Sequence, residues 1–220
     1  MARLHRDDFA QLHSVIPGLM LRVGQDQRCY DYLKWWAWVY KSEDPCDREI
    51  PWLCMKKANA FEDTKKIAAR WSDLQQLVAF TVLKVKLLMD VMKLQNLTNW
   101  ANANLEGQAR LDVEKSKAKY VSSSIVLENR AILRSTDHTA LIRKLTEQVR
   151  HLYRMIDRYN PHFWECLEQE PPVPDEDARE DKEWARRVFH GMQGYIGTIP
   201  GAVGFLKKIR AGVQQALQTR

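Results

Sequence analysis

Residues 77–94 read LVAFTVLKVKLLMDVMKL, an eighteen-residue run whose charged positions are Lys84, Lys86, Asp90 and Lys93. Its apolar side chains fall nearly all round a helical projection, so the helix belongs in the middle of a bundle. The run approaches the length of a bilayer span. Four charges, each costing about 2.5 to 3.5 kcal/mol near a bilayer centre, oppose insertion and favour a soluble core helix. Lys86, Asp90 and Lys93 share one face at i, i+4 and i+7, which predicts a narrow polar stripe reaching water. Asp63 or Thr64 is the expected N-cap. With Ile67, Trp71, Leu74 and Val78 leading into the run, the central helix is expected over about 64–95.

Outward from this core, the distribution of helix breakers extends the pattern. Between Pro51 and Pro161 there is no proline and one glycine, Gly107. The polar stretch 96–107 and residues 135–137 divide this interval into three helices, the second about 108–133 and the third about 137–159. The second carries a thin apolar stripe through Leu111, Ala118, Val121, Ile125 and Ile132. The third is the most regular, with Leu141, Leu145, Val149, Leu152, Ile156 and Tyr159 stepping by three and four. Before the central helix, a short helix through Phe9, Leu12, Val15 and Ile16 should end ahead of Pro17. An aromatic helix follows over about 27–41, with Trp35, Trp36 and Trp38 in one block, and residues 42–52 read as a connection. The expected fold is an all-α multi-helix bundle.

Charge is unevenly spread: residues 1–160 carry +7, residues 161–190 carry −5, and residues 191–220 carry +4. Pro161 stops the third long helix, and Pro171, Pro172 and Pro174 mark an acidic connector. A short helix from Asp175 or Asp177 is expected to dock through Trp184 and Val188 and to end at Gly191 as its C-cap. The final segment has no acid. Gly197 and Gly201 sit at i, i+4 spacing that permits close helix approach, and Phe205 precedes Lys207, Lys208 and Arg210. The tail reads either as a loop leading into a last packed helix over 202–217 or as a contact surface for a partner or anionic membrane. By domains, 1–160 is the bundle body, 161–190 the connector and short helix, and 191–220 a tail packed on the same domain.

Catalytic signatures do not emerge. HExxH, a P-loop, GxSxG and a GxGxxG following a strand are all missing from the sequence. The four cysteines, Cys29, Cys46, Cys54 and Cys166, form no CxxC pair, so buried reduced thiols and no metal are expected. His162 and Cys166, four apart, could share a helical turn, but Pro161 and Trp164 beside them favour packing. No cofactor is expected and the chain reads as non-enzymatic. Residues 1–8 lack the apolar region of a secretory signal, which points to the cytoplasm, with peripheral membrane contact through the tail as the alternative.

Two surfaces could carry binding. Trp35 and Trp38 belong to a block dense enough to anchor an interface, although three such close tryptophans span more than one face and at least one should enter the core. Arg143, Arg150, Arg154 and Arg158 line the far face of the third long helix, a basic row interrupted by Glu147. A protein partner or self-association is the leading expectation, anionic membrane the next, and nucleic acid on the basic row the alternative.

Tyr32-Leu33-Lys34-Trp35-Trp36-Ala37-Trp38-Val39 resembles the leucine, two residues, tryptophan pattern of the HeLo domain, the helical N-terminal domain of fungal prion-inhibition and propagation proteins. A second stretch, Ala131-Ile132-Leu133 through Leu141, Ile142, Leu145, Val149, Leu152, Ile156 and Asp157 to Pro161, is similar to that family's late amphipathic helix, which ends at a proline before an acidic segment, here Glu165 to Glu183. The resemblance implies a helical bundle in cell-death or self-recognition (heterokaryon incompatibility) signalling. The charged residues 1–8 depart from the apolar, glycine-containing N-terminus of the family's membrane-active members.

Overall fold

The computed structural model describes residues 12–39, 55–68, 73–168 and 180–218. Among them there are helices, turns and no strand: an all-α bundle around one long central helix. The first helix, α1 (Leu12–Arg22), runs through Pro17 rather than stopping before it. A proline inside a helix leaves the carbonyl four residues back without its N–H partner. Here that carbonyl belongs to His13, and the Gln76 side-chain amide donates to it at 3.3 Å from the central helix. The break expected at Pro17 is repaired by a distant residue. Gly24, at φ +73°, then ends α1 in a Schellman turn, with Gln25 N–H on the Met20 carbonyl and Gly24 N–H on that of Leu21.

Helix α2 (Asp26–Val39) carries the aromatic block. Trp35 is buried and meets Trp36 edge to face at 5.1 Å, while Tyr30, Tyr32 and Leu33 are buried beside it. The Trp38 side chain and residues 40–54 lie outside the described residues, as do Cys46 and Cys54. From α2 the Asp31 carboxylate accepts the backbone N–H groups of Lys57 and Ala58, both at 2.9 Å. It thereby holds Lys57 in a left-handed conformation at φ +54°.

The expected helix over 64–95 is two elements: α3 (Lys65–Ala68) and α4 (Leu74–Asn104). Asp63 caps the first by accepting Lys65 N–H, and Asp73 caps the second by accepting Gln75 N–H at 2.7 Å. At 31 residues, α4 is roughly 46 Å long. It also continues through most of the polar stretch read as a connection. Thr98 bonds back to the Leu94 carbonyl, Gln95 donates to Asn99, and Asn104 donates to the Trp100 carbonyl, so these polar side chains are satisfied along the helix itself.

Every residue from Gln76 to Val91 is buried. The all-round apolar reading of this segment therefore holds, and of its polar stripe Lys86 and Asp90 are buried while only Lys93 reaches water. Lys86 donates to both oxygens of buried Asp26 at 2.9 Å, over the Tyr195 ring at 5.8 Å. Asp90 accepts the backbone N–H groups of Ser122 and Ser123 at 3.0 and 2.6 Å, and Asp26 accepts that of Ser124 at 3.0 Å. Lys93, half-buried at the edge, lies 3.8 Å from Asp90.

These carboxylates explain why the expected helix over 108–133 is broken. It consists of α5 (Gly107–Ser116), a 3-10 turn (Lys117–Tyr120), α6 (Ser124–Leu127) and α7 (Arg130–Arg134). Three successive backbone donors at 122–124 are claimed by α2 and α4, and Ser123 and Asn129 cap the short helices that follow. No residue of α5 is buried, and Leu111, its part of the thin stripe, is exposed.

Helix α8 (Thr139–Tyr159) lies along α4 in the largest helix pairing of the fold, burying Leu145, Val149, Leu152 and Ile156. Leu141 is half-buried and Tyr159 exposed. Asn160 ends the helix and donates to the Asp181 carbonyl at 2.8 Å, tying it to α9 (Asp181–Thr198). Gly191 is not the expected C-cap: α9 continues through it and through Gly194 and Gly197, while Ala185, Val188, Phe189, Met192 and Ile196 pack inward. The turn instead falls at Gly201, φ +84°, before α10 (Ala202–Gln218), whose Ala202, Leu206 and Ile209 are buried. Helix α10 thus packs against α9 and α4.

Removing one member of a buried ion pair leaves the other charge uncompensated, which costs about 3 to 5 kcal/mol. Lys86→Met is expected to lose that much stability in equilibrium denaturation. Lys93→Met, at the helix edge, should change it by less than about 1 kcal/mol.

Candidate functional site

Helix α8 turns a polar face toward α3, and a groove of about 480 Å³ opens between them. Residues spaced by three or four share a helix face, which brings Lys144, Glu147, Gln148, His151 and Arg154 into line with Arg150 beside them. The opposite wall is Asp63, Thr64 and Lys65. Four cations and two carboxylates therefore face one cavity. Among the described residues, none of Lys65, Lys144, Arg150 and Arg154 is in a salt bridge.

Gln148 forms the floor and fixes both walls. Its amide nitrogen donates to the Glu62 carbonyl at 2.7 Å, and its amide oxygen accepts from Lys84 Nζ at 2.9 Å. Lys84 is completely buried and also donates to the Ala60 carbonyl. It lies 5.5 Å from the Tyr30 ring centre and 5.3 Å from that of Phe80. Two oxygen acceptors match the two N–H groups of a neutral amine, and a third proton would face the rings. Burial brings the Lys84 amine down to about 7, against an opposing pull from Glu62 and with help from Lys144. Glu62 itself accepts from Lys34 Nζ at 2.5 Å and from the Tyr30 hydroxyl at 2.6 Å. Burial raises this carboxyl, but these two hydrogen bonds outweigh it and hold the pKa below the usual range.

His151 lies half-buried in the groove. Burial lowers its pKa, and Lys65, Arg154 and Arg158 reinforce the effect against Asp63, which favours the neutral imidazole. In that form it adds hydrogen-bonding capacity without charge.

All four arginines of the expected basic row are exposed, and the structure divides them. Arg150 and Arg154 enter the groove, Arg158 acts on His151 through its charge, and Arg143 is not among the lining residues. Lys65, Lys144, Gln148 and His151 were not in that row. Their i, i+4, i+7 spacing from Lys144 to His151 was readable on α8, whereas the contribution of Lys65, nearly 80 residues earlier, required the fold.

The tail candidates are scattered. Gly197 lies in the last turns of α9, where an added Cβ would meet nothing within 4 Å, and Gly201 is in the following turn, where an added Cβ would meet the Met89 sulfur at 3.4 Å. They do not form a close helix-packing stripe. Phe205 is half-buried, Lys207 and Lys208 are exposed, and Arg210 folds back to the Trp164 carbonyl and, at 3.5 Å, to Glu168. Trp35, buried in the core, is unavailable to a partner in this arrangement.

Cys166 donates its thiol to the His162 backbone carbonyl at 3.6 Å, and the His162 ring faces Glu165 at 3.3 Å, so the sulfur and imidazole do not form a pair. Burial pushes up both the Cys166 and Cys29 thiols, which disfavours the nucleophilic thiolate. Among the described residues, no cluster of three or more metal-type ligands occurs, and no helix is long and apolar enough to cross a membrane. Comparison with known proteins returns no matching family model, curated protein or solved structure.

The buried Lys84 has a testable pH signature. Its folded-state pKa of about 7 lies below the ordinary value of 10.5, so the unfolded chain binds more protons between those limits. Stability linked to Lys84 therefore rises with pH through that window and is lowest below pH 7, where an ammonium must be buried. From pH 7 to pH 9 the native chain should gain about 2 kcal/mol more than Lys84→Met, measured by urea denaturation at both pH values.

Proposed function

We propose that this chain is a non-enzymatic helical interaction domain of the signalling kind, and that the α3–α8 groove is where it recognises an anionic partner. The observation that carries this reading is the convergence of Lys65, Lys144, Arg150 and Arg154 on one cavity, from two elements far apart in sequence. A solvated basic face would spread its cations outward. Here they line a concavity whose floor is fixed by Gln148 on both sides, and a fixed floor reduces the ordering cost of binding.

The C-terminal tail is the weaker place for this role. Its apolar residues Ala202, Leu206 and Ile209 are committed to packing, and Arg210 is bound to the body, which leaves Lys207 and Lys208 as the exposed charges among its described residues. A cell-death or self-recognition setting, as the HeLo resemblance implies, is compatible with a domain that binds rather than reacts.

A ligand that binds the folded state raises its stability by RT ln(1 + [L]/Kd), about 2.7 kcal/mol at a hundredfold excess over Kd. Thermal unfolding in inorganic phosphate, compared with chloride at equal ionic strength, should therefore show a saturable stabilisation of the native chain. Arg150→Ala/Arg154→Ala should lose the saturable part and keep the general exclusion effect of phosphate salts. Lys207→Ala/Lys208→Ala should retain it, and the reverse pattern would move the binding function to the tail.

A further inference from the structure

The groove carries more information than its positive charge. Resting on the anionic reading above, we infer that its ligand is a small phosphate ester bearing hydroxyl groups, a phosphorylated sugar or polyol, with the phosphate on the cations and the hydroxyls on Asp63 and Glu147.

Three observations lead there. The first is charge: Lys65, Lys144, Arg150 and Arg154 against Asp63 and Glu147 leave +2, and neutral His151 does not alter the sum. A phosphate monoester carries about −1.5 to −2 at pH 7, so one such group neutralises the groove. A long polyanion would overfill it and place repeated charge against the two carboxylates.

The second is the chemistry of those carboxylates. An ionised carboxylate only accepts hydrogen bonds, so a bare anion gains nothing from it and suffers repulsion. A sugar hydroxyl donates, and one face of a sugar phosphate then meets cations while another meets acceptors. The arginines suit the phosphate end because the guanidinium fork matches phosphate oxygens two at a time.

The third is size and lining. A volume of about 480 Å³ lies within the range of small-molecule sites, roughly 300 to 1,000 Å³, and is far more than a free phosphate fills. No Phe, Tyr or Trp side chain lines the groove. Single-stranded nucleic acid binding relies on aromatic platforms for stacked bases, so a strand would find the charge here without the stacking.

The experiment is isothermal titration of the whole 220-residue chain with ribose 5-phosphate, inorganic phosphate, ribose and a 30-nucleotide single-stranded DNA. Ribose 5-phosphate should bind at least about tenfold more tightly than inorganic phosphate, the factor that 1.4 kcal/mol of added hydrogen bonding supplies, and ribose alone should bind undetectably. In Asp63→Asn/Glu147→Gln that preference should shrink while affinity for inorganic phosphate rises; the Asn side chain keeps an oxygen to cap α3, and circular dichroism checks the fold. Equal affinity for the two phosphates, or a preference unchanged by the double substitution, would overturn the polyol assignment and leave anion recognition standing. DNA binding tighter than the sugar phosphate, with a steep loss in salt, would assign the groove to nucleic acid instead. No binding of any phosphate-containing probe would overturn both readings together.

Discussion

The fold depends on a constraint inside α4: a helix buried on every side over sixteen consecutive residues carries Lys84, Lys86 and Asp90 in that buried stretch. A buried charge or strong hydrogen-bonding group without a partner costs several kcal/mol. Each of the three must therefore be met from a neighbouring element, and the neighbours are fixed by that demand. Asp26 places the start of α2 against Lys86, the backbone at 122–123 comes to Asp90, and Ser124 N–H comes to Asp26. Apolar packing supplies the driving force, but apolar surfaces slide, and a Leu-rich helix would accept several registers. The ionic contacts select one.

The candidate site is a consequence of the remaining buried group, Lys84. Lys84 draws the Ala60 carbonyl and the Gln148 amide to itself, and Gln148 reaches on to the Glu62 carbonyl. That short chain of hydrogen bonds fixes α8 to the segment leading into α3. The cationic face of α8 is thereby held opposite Lys65 and Asp63, and a helix surface becomes the wall of a groove. Core polarity and surface recognition meet at one glutamine.

What the sequence made legible was local. The scarcity of glycine and proline between residues 51 and 161 gave the long helices, and the three-and-four spacing from Leu145 to Ile156 gave the buried face of α8. What it hid was supplied from afar. Pro17 reads as a stop because the Gln76 amide that satisfies the His13 carbonyl is 63 residues away. The stretch 108–133 reads as one helix because its interruption comes from carboxylates on α2 and α4. Lys86 and Asp90 look like a solvated stripe because helical spacing cannot show what packs over it. Of the groove, the arginines on α8 were visible and the opposing wall was not, since nothing in the pattern of residues 63–65 announces a partner on a helix that starts at Thr139.

If buried carboxylates fix the fold, the amides they hold should be among the slowest in the molecule to open, although they lie in an irregular segment. Native-state hydrogen exchange at increasing sub-denaturing urea reads this directly at Ser122, Ser123 and Ser124. The account requires these three amides to exchange with the free energy and urea dependence of global unfolding, as α4 core amides do. Exchange through small local openings, insensitive to urea and comparable to that of the exposed helix α5, would contradict it.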